Sequence, residues 1–319
     1  MINIEIYNEE YNVRYILKIR NKFSLLVGNT ATGKSTLYSL INTWNTYTRR
    51  GQISNTVVNS PIDVFATNEL ISLEKRKNSL FIFDEDTIPE LKNNIEVLLK
   101  SPNYFLIMCR EQLMLPYGVY DLLELSTSSR NGVVTNTTTP KYSGMVDEDV
   151  IPDLILTEDS SSGYKFFNDC LIVKCKSSKS KTRIIKSIRS EIQKGTSTIL
   201  FIVDEVGFGY EFEKLIEFFN SLKSTGIDIY LWLPKSFEYV LLNSGMFTGI
   251  DDFLKDPYDS WDLSKYSTVE KYISAVLNRE MKKKLGVRYS KSEDMLKYFK
   301  DYKLMIFNRN FTNYEKLLK

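Results

Sequence analysis

Gly28-Asn29-Thr30-Ala31-Thr32-Gly33-Lys34-Ser35, followed by Thr36, is a full match to the pattern GxxxxGK[ST]. Each part has a mechanical reason. Gly28 and Gly33 let the backbone curl so that successive N–H groups face one anion. Lys34 brings a charge to the β- and γ-oxygens of a nucleotide, and the Ser35 hydroxyl offers a ligand to Mg2+. The flanks suit the loop. Residues 22–27 (KFSLLV) read as an apolar strand, and 34 to about 47 as a helix with Leu37, Leu40, Ile41 and Trp44 on one face. The helix N-terminus adds its partial positive charge. Residues 28 to 36 are therefore expected to cradle nucleotide phosphates.

Outward from the loop, 2–7 (INIEIY) and 12–18 (NVRYILK) read as two more strands joined through Asn8-Glu9-Glu10, and the polar, basic 48–60 as a loop. Segment 79–84 (SLFIFD) is a continuous apolar run ending in acid, as a buried parallel strand would be. Its end is the expected partner of the loop: Asp84 holds Mg2+ through water and Glu85 polarises the attacking water as base. Asp86 makes three acids in a row, which leaves open which one is the base. Helix 89–99 opens on proline, and strand 103–108 (NYFLIM) ends in Cys109-Arg110, where Arg110 either senses the γ-phosphate or forms a surface ion pair.

A hairpin before the loop, the run GKST and Phe83-Asp84-Glu85 ahead of a further strand resemble the ABC/RecF branch of P-loop NTPases. The chain departs from that branch in having no LSGGQ-like signature between Ser35 and Asp84 and no histidine after the last strand. The guanine signature NKxD is also missing, so ATP is the expected nucleotide, with Mg2+.

A Ser/Thr/Asn/Gly-rich stretch at 126–146 reads as a boundary or an edge hairpin. Beyond it lies a second alternation: strand 153–157, helix 161–169, strand 170–174, helix 181–193, strand 198–203, helix 210–223, strand 227–233 and helix 236–243, then a mainly helical tail, chiefly 268–284. Acids follow its first and third strands, as Thr157-Glu158-Asp159 and Val203-Asp204-Glu205. This order resembles a Toprim domain. The resemblance implies that Glu158 is a general acid/base and Asp204 a metal ligand, in an oxygen-only cage for Mg2+. Val206 stands where the second acid of an Asp-x-Asp pair would fall; either Glu205 takes that place or Glu238 enters after the fourth strand. The basic residues from Lys174 to Arg189 (Lys174, Lys176, Lys179, Lys181, Arg183, Lys186 and Arg189) read either as a phosphodiester-binding stripe or as a solvated helix face.

The expected fold is thus α/β: a P-loop NTPase parallel-sheet domain over 1–145, then a Toprim-like α/β domain with a helical C-terminal extension over 146–319. That domain order resembles the overcoming-lysogenization-defect family of ATP-linked nucleases. The stretches GNTATGKST, FIFDED, LTEDSSSGYKFF and LPKSFEYVLL resemble uncharacterised ATPases of bacterial mobile elements.

Composition narrows the chemistry. The 319 residues contain no histidine and only three cysteines, Cys109, Cys170 and Cys175. Histidine triads, HExxH zinc sites and Cys/His fingers are excluded, so catalysis falls to carboxylates, lysine, hydroxyls or an oxygen-bound metal. Hydrophobic residues at 43% and charged ones at 26% suit an ordinary packed core, with a net charge of +2. No apolar run approaches the roughly 20 residues of a membrane helix, the start lacks signal-peptide character, and the cysteines suit a reducing compartment; the expected location is the cytoplasm. Three functions follow: an ATPase coupled to a metal-dependent domain acting on DNA or RNA, in phage defence or mobile-element maintenance; a nucleotide-dependent switch whose second domain binds a protein partner or another copy without chemistry; or a small-molecule kinase.

Overall fold

The computed structural model describes residues 1–28, 32–68, 70–73, 75–110, 113–142, 151–222 and 225–309. It is mixed α/β and divides into two compact units, Met1–Ser143 with Tyr258–Val269, and Gly144–Pro257 with Glu270–Lys319. The sequence boundary at 145/146 falls outside the described residues.

The first unit is built on one sheet. Its strands are β1 (Ile2–Asn8), β2 (Val13–Ile19), β3 (Phe23–Val27), β4 (Thr56–Asn59), β5 (Val64–Ala66), β6 (Leu80–Phe83), β7 (Tyr104–Cys109), β8 (Leu122–Arg130) and β9 (Val133–Pro140), in the order β4-β1-β2-β9-β8-β3-β7-β6-β5. The half from β8 to β5 is parallel, whereas β1–β2, β1–β4 and β8–β9 are antiparallel, so the expected parallel sheet is in fact mixed. Composition explains the difference. The runs at β6 and β7 are buried throughout, as parallel strands are, while β2 alternates buried Val13, Tyr15, Leu17 and Ile19 with more exposed residues, as a one-sided strand does. Phe105 sits at the centre of the core, its ring 5.3 Å from Phe23, 6.3 Å from Phe81 and 6.2 Å from Phe83.

Three expectations change here. Residues 48–60 contain β4, and the Ser/Thr-rich stretch is a hairpin inside the sheet, not at its edge, because β9 pairs with β2 as well as β8. Its turn is Asn131-Gly132, both at positive φ (51° and 78°), as a tight two-residue hairpin requires. Helix α1 (Lys34–Arg49) buries Leu37, Leu40 and Ile41, and Asn45 ties it to β5 by donating to Val64 O (2.9 Å) and accepting from Ala66 N–H (2.9 Å). The expected helix 89–99 is two, α2 (Ile88–Asn93) and α3 (Ile95–Lys100), broken at Asn94. Tyr258 and Trp261 of the returning segment are buried in this unit, where the Arg20 guanidinium lies between the Tyr120 and Tyr258 rings at 5.2 and 5.0 Å.

The second unit has a four-stranded parallel sheet, β11-β10-β12-β13, of β10 (Leu154–Thr157), β11 (Cys175–Ser177), β12 (Thr198–Ile202) and β13 (Asp228–Trp232). Helices α4 (Ser162–Cys170), α5 (Ile184–Ile192), α6 (Gly209–Leu222) and α7 (Phe237–Leu242) follow these strands in turn. The run 170–174 is not the strand: Cys170 closes α4, Leu171 is buried beneath it, and pairing with β10 begins at Cys175. The tail forms α8 (Asp251–Lys255), α9 (Val269–Leu285), α10 (Leu296–Phe299) and α11 (Lys303–Asn308). Phe307 of α11 stacks on Phe166 of α4 (6.4 Å), so the tail belongs to the core of this unit. Among the described residues no helix is long and apolar enough to cross a membrane.

Candidate functional sites

In the first unit, β7 lies between β3 and β6, and register pairs Val27 with Cys109 and Ile107 with Phe83. The C-terminal ends of three neighbouring strands therefore carry Gly28, Arg110 and Asp84-Glu85. Asn29, Thr30 and Ala31 lie outside the described residues. Thr32 and Gly33 lead into α1, whose first residue is Lys34. Gly33 has φ +88°, and a Cβ there would sit 3.2 Å from the Tyr15 hydroxyl, which donates to Gly33 O at 3.0 Å. Only glycine meets both demands.

Lys34 is buried and folded back on the loop: its ammonium donates to Gly28 O and to Thr32 Oγ1 (3.3 Å). Burial lowers its pKa, and of the charges opposing that shift Glu85 acts most strongly, with Asp84 adding less. Asp84 accepts from Glu85 N–H (2.9 Å) and caps the turn Glu85–Thr87, while Asp86 is exposed on it. Glu85 pairs with Arg110 at 3.0 Å, both side chains well exposed. Of the three consecutive acids, Glu85 and Asp84 are the two whose charge acts on Lys34. Ser35 and Thr36 are exposed and border an open groove of about 940 Å³ along α1, with Tyr11, Tyr15 and Asn55 on its walls. Ser35 and Asp84 offer only oxygen, the donor type Mg2+ selects.

In the second unit, Glu158 and Asp204 follow the adjacent parallel strands β10 and β12, and both line a cavity of about 190 Å³. The Asp204 backbone amide acts on the Glu158 carboxylate, favouring its charged form. Asp159 is spent on structure: its carboxylate accepts from Ser161 N–H (3.1 Å), Gly163 N–H (3.3 Å) and Tyr164 N–H (3.0 Å) at the start of α4. Glu205, expected as a metal ligand, is buried, and its side chain does not line the cavity. Asp204 already takes the place facing the strand ends, and the chain turns at once, with Glu205 N–H donating to Pro234 O (2.7 Å) and Gly207 at φ +76°. Glu238 of α7 does line the cavity, as does Glu270, the second residue of α9.

Lysines face these acids. Lys181 lies 3.7 Å from Glu158 and donates to Gly207 O (3.0 Å). Lys291 lies 2.9 Å from Glu270 and 3.5 Å from Glu238. The Tyr289 hydroxyl donates to Glu238 (3.0 Å) and contacts the Ser162 hydroxyl (3.1 Å). Sequence reading missed Glu270, Tyr289 and Lys291. Nothing local marks them, since a glutamate in a helix's first turn and a lysine in a loop are ordinary.

Burial holds Glu158 up at about 7 despite Lys181, and burial together with Glu158, Glu238 and Glu270 holds Asp204 well above the usual carboxylate range. A carboxyl that binds its proton more tightly when folded adds stability in full below its unfolded value of 4.5, and that stability is lost as pH rises through about 7. Between pH 5.5 and 8 the wild-type chain is expected to lose up to about 2 kcal/mol from Glu158. Glu158→Gln should lose less over that range and be the more stable protein at pH 8. Urea midpoints at the two pH values check this; equal losses in both proteins would overturn it.

Fitness for a cation is divided. The donors are oxygens, and Glu158 Oε2 is buried with no hydrogen-bond partner among the described residues, an atom a cation would satisfy. Yet among the described residues no three Asp, Glu or Cys side chains are gathered to hold a metal ion.

The basic stripe also divides. Lys176 is engaged by Glu191 and Lys181 by Glu158, whereas Lys174, Lys179, Arg183, Lys186 and Arg189 are exposed, Arg189 lying over the Phe218 ring at 5.1 Å. Compared with protein-family models, curated proteins and solved structures, the chain matches none.

Proposed function

We propose that this chain is a Mg2+-dependent ATPase coupled to a Toprim-like domain that acts on nucleic acid, in phage defence or mobile-element maintenance. The observation that carries the ATPase reading is Lys34, tucked into a glycine loop at one strand end and acted on by Glu85 and Asp84 of another. Backbone amides of the loop and the Lys34 ammonium bind the phosphates, and the groove beside Ser35 offers the exposed Tyr11 to the nucleoside. Ser35 and Asp84 would hold Mg2+, whose role is to offset phosphate charge. Glu85 takes the proton of the attacking water.

For the second unit the support is Glu158 and Asp204 at neighbouring strand ends in a cavity that Lys181 also lines, with Arg183 and Lys186 exposed in the turn and helix that follow Lys181. Purified chain with Mg2+ or Mn2+ is expected to cleave DNA or RNA, and Asp204→Asn to abolish cleavage while ATP hydrolysis stays at the wild-type rate. Absence of cleavage with either metal, with and without ATP, would end the nuclease reading.

One observation favours a second reading, a nucleotide-dependent switch whose second unit only binds its partner. Glu158 there is already paired with Lys181, and Glu238 and Glu270 with Lys291. In that case Lys34→Ala abolishes partner binding and Glu158→Ala does not.

A further inference from the structure

The sheet of the second unit has two edges, and they are finished differently. One is β11, three residues long, with Lys176 within it and Lys174 and Lys179 exposed on either side. A short edge bearing lysines resists the addition of a further strand. The other edge is β13, Asp228-Ile229-Tyr230-Leu231-Trp232. Its four apolar residues are each half-buried, whereas those of the inner strands β10 and β12 are buried. No lysine or proline interrupts this edge, and Pro234 comes only after Leu233.

The backbone register shows which groups stay open. Asp228 N–H donates to Ser197 O (2.9 Å), Val203 N–H to Trp232 O (3.2 Å) and Glu205 N–H to Pro234 O (2.7 Å). Residues 228, 230, 232 and 234 thus turn their backbone groups toward β12 and the chain that follows it. Alternation then turns the N–H and C=O groups of Ile229, Leu231 and Leu233 outward. Among the described residues no strand pairs with β13 on that side. A row of backbone donors and acceptors between apolar side chains fits one kind of partner, an extended strand that is apolar on both faces. The chain itself carries such a strand.

We propose that β13 pairs with β13 of a second copy, antiparallel about a two-fold axis through Leu231, so that two four-stranded sheets become one of eight strands. In that register Leu231 faces its own symmetry mate, Ile229 faces Leu233 of the second copy, and Tyr230 faces Trp232. Trp232 is already steadied by Phe167, whose ring it meets edge-on at 5.8 Å. Charge favours the antiparallel sense. Each strand opens on exposed Asp228 and is followed by Lys235, itself 3.9 Å from Asp256, so the acidic end of one copy lies at the basic end of the other. Moving the axis to Tyr230 would set Asp228 against Trp232 and lose the aromatic pair. Joined in this way, the two copies point their Glu158–Asp204 strand ends in opposite directions along one sheet. The proposal is independent of what either unit binds.

Sedimentation equilibrium of the full chain, without nucleotide or metal, should show a concentration-dependent species of twice the chain mass. Leu231→Lys sets like charges opposite each other on the axis and should leave monomer at every concentration. Lys174→Glu, at the other edge, should dimerise as the wild type does. A monomeric wild type, or a dimer that survives Leu231→Lys, would overturn the proposal. Cross-linking reads the register. A hydrogen-bonded antiparallel pair sets Cα atoms about 5.5 Å apart, within disulfide reach, so Leu231→Cys should form a covalent dimer with diamide as oxidant. Asp228→Cys should not, and the chain's own cysteines are buried. Should Leu231→Lys fail to fold, Leu231→Cys decides: no covalent dimer, or one formed as readily by Asp228→Cys, refutes the pairing.

Discussion

The Glu85→Gln protein is expected to bind ATP with wild-type affinity and to hydrolyse it about 10² to 10⁴ times more slowly, the range a positioned general base contributes. Geometry separates Glu85 from its neighbours. Asp84 spends one carboxylate oxygen on the Glu85 amide, and Asp86 is exposed on the turn. Glu85 is the acid with the strongest influence on Lys34. Its pairing with Arg110 at 3.0 Å involves side chains 39% and 60% exposed, so that contact is worth little and can yield to a substrate. Arg110→Ala should therefore leave the fold intact. Phosphate release at saturating ATP, with equilibrium dialysis for affinity, checks both halves of the expectation. If Asp86→Asn were slow and Glu85→Gln fast, the assignment within the acid run would be wrong.

What the sequence disclosed here depended on how local each signal was. The buried runs at β6 and β7 and the amphipathic face of α1 are set by neighbours in the chain, and periodicity places all three within a residue or two. Asn94 broke an expected helix because Leu91, Ile95 and Leu98 keep helical spacing across it, which masks the stop that an asparagine can signal. Cys170 to Lys174 failed for a different reason: a short apolar run suits a buried helix end as well as a strand, and only pairing with Ile155 fixes the true start at Cys175. The position of β9 between β2 and β8 could not be read, since its Thr/Asn composition resembles an exposed edge and its partner β2 is more than a hundred residues away.

The same distinction governs the sites. Glu158 and Asp204 were legible because each closes an apolar strand, and parallel pairing brings such ends together. Glu205 is buried away from the cavity that Asp204 lines, and an acid run in sequence does not say which member faces the strand ends. Glu270 and Lys291 arrive from α9 and the loop after it, so only the fold joins them to residues more than a hundred positions earlier. Tertiary placement, not residue type, decides membership of that cavity.

Lys34→Ala is the variant expected to lose most. In the structure the ammonium is buried and satisfied by the loop itself, through Gly28 O and Thr32 Oγ1. Burial disfavours its charge, and Glu85 and Asp84 only partly offset that. An arriving triphosphate exchanges a neutral carbonyl for anionic oxygen at the same ammonium, and a hydrogen bond of that kind is worth about 1.5–3 kcal/mol. ATP affinity should thus fall about 10- to 100-fold. Because charge on the transferred phosphoryl is held by the same group during reaction, the hydrolysis step should fall by about a further 10² to 10³. The competing explanation is that Lys34 is a clamp for the loop and nothing more. A clamp predicts the opposite pattern: Lys34→Ala lowers thermal stability, while ATP affinity stays at the wild-type value. Calorimetric titration of ATP beside a thermal melt of the same two proteins separates these outcomes, and wild-type affinity in Lys34→Ala would remove the basis for a nucleotide site at this loop.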